Sequence, residues 1–129
     1  MSEFIRMITE HISTILYASG AVTAVGSLQF FAPTFYSKSV LQVELKDDLT
    51  RFYFSHWGVL VLCMAIMMIL AGDNAALQRP VLAIVLIEKL VLVAMLLKDF
   101  KKPYTQKMRV VMAFDSICVV LFSLILLGV

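Results

Sequence analysis

Apolar residues gather into four stretches of the chain, at residues 12–32, 52–72, 80–98 and 110–129, and most of the charge falls between them. Each stretch is close to the roughly 20 residues that carry a helix across about 30 Å of hydrocarbon. A backbone without water must pair its amides and carbonyls inside its own segment, so each stretch is predicted to be an α-helix. Pro33 closes the first, and Gly72-Asp73-Asn74 forms a turn after the second. Arg79-Pro80 opens the third, with the proline at a first-turn position where its missing amide costs nothing. Lys101-Lys102-Pro103 separates the third from the fourth. The expected fold is therefore all-α: one domain over residues 1–129, a four-transmembrane-helix bundle with a short interfacial segment between helices 1 and 2. In that segment, TFYSKSVLQVELKDDLT at 34–50, Phe35, Val40, Leu41, Leu45 and Leu49 recur among charges. The pattern fits either a short helix lying at headgroup level or an ordered loop.

Composition strengthens this reading. The chain is 61% hydrophobic and 16% charged, against about 45–50% and about 25% in ordinary soluble domains. So small a globule exposes too much surface to hide that excess from water, so a lipid bilayer is the expected partner. The connections at 33–51 and 98–109 hold eight of the Lys and Arg residues, and the opposite side holds only Arg6 and Arg79. Basic residues mark the cytoplasmic face. Both termini are thus expected outside, in a bacterial inner membrane. Tyr36, Tyr53, Trp57 and Tyr104 fall near the same boundary, where amphipathic rings prefer to sit. The start MSEFIRMITEHIS carries Glu3 and Glu10 and no small-residue cleavage site beside a short apolar core, so the first helix is expected to be retained. A net charge of +2 argues against a nucleic-acid partner. Cys63 and Cys118 lack CxxC spacing and read as apolar filler, as do Met64, Met67 and Met68.

Ionisable groups inside spans are costly, roughly 2.5 to 3.5 kcal/mol at a helix centre, and usually face an interior or a cavity. At about 1.5 Å per residue, His56 lies roughly 6 Å inside the start of helix 2, and Asp115 roughly 8 Å inside the start of helix 4. Both starts are on the cytoplasmic side, so the two can share a layer. Glu88 is roughly 15 Å above the end of helix 3. Lys89 is about 100° around the helix from it, so it pairs with an acid on another neighbour or lies at a subunit contact.

Two readings follow. His56, Glu88 and Asp115 form a polar pocket that moves a proton or holds the polar group of a lipophilic ligand. Alternatively they only fasten the bundle, His56 bonding Asp115 and Glu88 forming an ion pair with Lys89 or with an arginine at a helix end. A metal site is not expected, because a single histidine lies at depth without HxxxH or ExxH spacing. No cofactor and no nucleophile constellation is indicated. In helix 1, Ser19, Gly20, Thr23 and Ser27 form a narrow face for close helix packing. The functional expectation is a small multi-pass membrane protein that binds a lipophilic small molecule, a quinone or isoprenoid. The alternatives are a structural or accessory subunit, a homo-oligomer or part of a larger membrane complex, and proton-coupled transport, which would need oligomerisation to line a pore.

At GSLQFFAPTFY, residues 26–36, a glycine, an aromatic pair, a proline and further aromatics follow one another as helix 1 ends. With the arginine before helix 2, the Arg79-Pro80 opening of helix 3 and a short helix 4, this layout resembles the DoxX-like group of small four-helix membrane proteins. The resemblance implies a four-helix bundle, in a group that includes subunits linked to quinone-reducing oxidoreductases. Gln29 stands where many relatives have a histidine, and His56-Trp57-Gly58 where many have an acid. The resemblance therefore implies the fold and no catalytic residue.

Overall fold

The computed structural model describes residues 2–128, and among them every regular element is helical. The order is α1 (Ser2–Glu10), α2 (Ile12–Val25), α3 (Leu28–Phe31), α4 (Pro33–Phe35), one π-helical turn (Tyr36–Val40), α5 (Asp48–Asp73), α6 (Ala75–Lys98), α7 (Pro103–Lys107) and α8 (Arg109–Gly128). Four helical stretches are long and apolar enough to cross a membrane: Ile12–Phe31, Asp48–Asp73, Ala75–Lys98 and Arg109–Gly128. Val129, the last position of the fourth expected span, lies outside the described residues.

Three boundaries differ from the sequence pattern, each for a local reason. α5 begins at Asp48 because Asp47 is an N-cap, its carboxylate accepting the Thr50 amide at 2.7 Å. α6 begins at Ala75 and not at Arg79-Pro80, because Asn74 caps it by accepting the Ala76 amide at 3.0 Å. Pro80 therefore lies inside α6, where it forgoes a bond to the carbonyl of Ala76, an exposed residue of the first turn. The expected three-residue turn shrinks to Asn74 alone. The N-terminal residues form a separate helix, α1, ended at His11 (φ −113°). Its Ile8 is buried and α1 packs on α8. The 34–50 stretch is not one helix carrying all five apolar residues: α4 and the π turn end at Val40, irregular chain runs from Leu41 to Asp47, and Leu49 belongs to α5. Gln42 is the bend, in the left-handed region at φ 55°.

α2 and α3 pack along α5, α6 packs on α8, and α5 on α6 joins the two pairs. The α3–α5 approach demands glycine. A Cβ on Gly58 would stand 2.5 Å from the Phe30 backbone nitrogen. Gly20 also packs closely on α5, where a Cβ would stand 3.0 Å from Ile69 Cγ1 and 3.3 Å from the Ala65 carbonyl oxygen. Ser19, Gly20, Thr23 and Ser27 are all buried.

The core lies in the half of the bundle near Asn74. Ile8, Leu16, Met68, Leu82, Phe122 and Ile125 belong to one buried cluster that draws on α1, α2, α5, α6 and α8. The outward faces are apolar as well, with Ile66, Ile84, Ile87 and Val120 exposed. At the other end the two long connections meet, Lys107 Nζ donating to Gln42 Oε1 at 3.0 Å. This end carries the eight basic residues of the connections.

Candidate functional site

In the half of the bundle away from the core, α2, α5, α6 and α8 stand around a cavity of about 320 Å³. This is within the size range of small-molecule sites. Its walls are apolar: Val22 from α2, Val61 and Met64 from α5, Leu92 from α6, Val111 from α8. On α5 the lining residues Trp57, Val61 and Met64 recur at i, i+4 and i+7, one helical face. Tyr36 and Leu41 of the π turn and its exit, with Lys107 and Met108, line the end nearest the connections. Burial pushes the Tyr36 phenol above its ordinary value, with Gln29 opposing more weakly. Tyr36 is therefore an O–H donor at neutral pH.

Polar groups gather at the deeper end. Lys89 Nζ on α6 donates to Asp115 Oδ1 on α8 at 2.7 Å, the side chains being 3% and 6% exposed. The same ammonium lies 4.9 Å from the centroid of the Phe114 ring. A pair this deeply buried ties α6 to α8. Helix geometry permits it. Lys89 points about 100° away from Glu88, toward the neighbour that carries Asp115.

Glu88 and Thr23 are different. Among the described residues, Thr23 Oγ1 and Glu88 Oε2 are the two buried side-chain polar atoms without a hydrogen-bond partner. Both residues line the cavity. Buried polar atoms are nearly always paired, because an unmade bond costs about 1–3 kcal/mol. Ser19 and Ser27, at i−4 and i+4 from Thr23 along the first apolar stretch, follow that rule. Ser19 Oγ bonds the Ile15 carbonyl at 2.6 Å, and Ser27 Oγ the Ala24 carbonyl at 2.6 Å. Thr23, only 7% exposed, does not turn back onto its own helix.

The structure brings Glu88 and Asp115 to one cavity and leaves His56 out of it. His56 is exposed on the outer face of α5, its ring stacked on Phe52 with centroids 6.5 Å apart. The reason is rotational. His56 precedes Trp57 by one residue, and so stands about 100° away from the face that Trp57, Val61 and Met64 present to the cavity. The expected His56–Asp115 bond is replaced by Lys89–Asp115, and no ion pair joins Glu88 to Lys89 among the described residues. Sharing a depth did not bring His56 and Asp115 together.

Sequence reasoning assigned Thr23 to packing and gave Gln29 and Tyr36 no site role. A threonine between two serines on one helical face was the available signal for Thr23, but it did not tell a paired hydroxyl from a free one. Among the described residues no group of three His, Cys, Asp or Glu side chains is placed to hold a metal ion. Cys118 is buried in the core cluster, and Cys63 is exposed on α5. Compared with protein-family models, with curated proteins and with solved structures, the chain finds no match.

Proposed function

We propose that this chain is a four-helix integral membrane protein that binds a lipophilic small molecule, holding its polar end beside Glu88 and Thr23. The observation that carries the reading is the coincidence of the two unpartnered buried polar atoms in one apolar-walled cavity. A ligand with an apolar body and one polar group suits both parts. The exposed apolar faces of the four long helices support lipid as the surrounding solvent. The excess of basic residues at the connection end supports assigning that end, where the cavity lies, to the cytoplasm of a bacterial inner membrane, with both termini outside. Kinship with the DoxX-like group is compatible with this architecture. The Lys89–Asp115 pair has a structural part in the same proposal: it fixes α6 against α8, and so the spacing of one cavity wall.

The test is mass spectrometry of organic extracts from the protein purified in native nanodiscs. A lipophile enriched over bulk lipid in the wild type, and depleted in Val111→Phe, which places a ring in the cavity, supports the proposal. Identical extracts from two folded proteins contradict it.

A further inference from the structure

The charges at the deep end of the cavity do not balance. Two carboxylates, Glu88 and Asp115, line it against one ammonium, Lys89. That ammonium is committed, 2.7 Å from Asp115 and over the ring of Phe114. Lys107, the other cation of the lining, is an exposed residue near the mouth and donates to Gln42. Glu88 Oε2 receives no hydrogen bond at all. An ionised carboxylate in apolar surroundings is costly unless paired. Nothing among the described residues pairs this one.

Building on the reading of the cavity as a lipophile site, we propose that its ligand is a lipophilic cation whose ammonium head docks between Glu88 and Thr23. A protonated amine supplies the charge that Glu88 lacks, a donor for Glu88 Oε2, and a second donor for a lone pair of Thr23 Oγ1. The alkyl body lies against Val61, Met64, Leu92 and Val111. Other head groups do less. A carbonyl has no donor for an ionised Glu88, and a hydroxyl donates one bond but leaves the carboxylate charge uncompensated. Glu88, an acid with no partner, is thus the specificity residue, and the clasped Asp115 is not.

Trp57 is the sole tryptophan of the chain and lines the cavity, so its fluorescence reports occupancy. The protein in nonionic micelles is titrated with hexylammonium and with its neutral counterpart hexanol. The expected result is a saturable response to both, with hexylammonium at least tenfold tighter. Glu88→Gln, which keeps the shape and removes the charge, is expected to abolish that preference while hexanol binding persists, and Thr23→Val to weaken hexylammonium several-fold. Equal affinity of the wild type for the two probes, or a preference unchanged in Glu88→Gln, overturns the cation assignment and leaves the lipophile site standing. No saturable response to either probe overturns both. Should Glu88→Gln fail to fold, the wild-type comparison of the two probes decides alone.

Discussion

Replacing Asp115 by leucine removes one member of the pair that joins α6 to α8 and leaves Lys89 charged in a site only 3% exposed. At 2.7 Å and an effective dielectric of about 20, the gross attraction of two unit charges is about 6 kcal/mol. Desolvation takes back several kcal/mol per ion, so the net value of the intact pair is near zero. The asymmetry decides the experiment. Removing one partner strands the other, at about 3–5 kcal/mol, whereas replacing both with apolar residues of similar volume is neutral or stabilising. Asp115→Leu is therefore expected to lose about 3–5 kcal/mol, and Lys89→Met at least as much, since Glu88 and Asp115 then share the site without a cation. The double variant Lys89→Met/Asp115→Leu is expected within about 1 kcal/mol of the wild type or above it. Equilibrium unfolding in mixed micelles, followed by circular dichroism, measures the cycle. Single variants that each cost under about 1 kcal/mol, or a double variant as unstable as the sum of the singles, would refute a buried, mutually dependent pair.

Gly58→Ala forces a Cβ to within 2.5 Å of the Phe30 backbone, an overpacking expected to cost about 1–3 kcal/mol in the same unfolding assay; an unchanged midpoint would show that α3 and α5 do not approach so closely. The Thr50 backbone amide, more than any other group, holds the Asp47 carboxyl below its ordinary value of 3.8. A depressed carboxylate stabilises above that value and loses its contribution as pH falls through the lower folded-state value, so the stability gap between wild type and Asp47→Ala is expected to narrow below pH 3.8, and a gap constant with pH contradicts the cap. His56→Ala, on the outer face of α5, is expected to leave the response of Trp57 to hexylammonium within about twofold; its loss would place His56 in the site. In a Cys63→Ser background, a cysteine at Lys102 is expected to resist a membrane-impermeant maleimide applied to intact cells, and labelling from outside would reverse the proposed orientation.

The helices were legible because four apolar stretches of the right length leave little else to choose. Their rotation was not. A helix with apolar residues on every side carries no amphipathic stripe to mark which face turns inward, so residue depth could be counted but direction could not. His56 shows the consequence: its depth suggested Asp115, and its azimuth sends it outward beside Phe52. Lys89 shows the converse. Its 100° offset from Glu88 pointed to a different neighbour, though only packing names that neighbour as Asp115. The true start of α6 was encoded in Asn74, a good N-cap, but Arg79-Pro80 offered a louder signal five residues later. Helix α1 was legible in principle, since Phe4, Met7 and Ile8 fall at i, i+3 and i+4. Its separation from α2 depends on the break at His11, which has no strong sequence marker. Of the cavity, only Glu88 and Asp115 were legible; its apolar walls could not be read, being the space that remains once the four helices have chosen their partners.

The central claim is that the half of the bundle around Glu88 is a chamber for a guest and not unfinished core. A structure of the protein carried in a native lipid nanodisc tests this most directly. The account predicts non-protein density between α2, α5, α6 and α8, with its polar end within hydrogen-bond reach of Glu88 Oε2 and Thr23 Oγ1 and its body along Val61 and Val111. Side chains of α2 and α8 closed against each other, with Glu88 and Thr23 bonded to protein groups and no space between them, would contradict it.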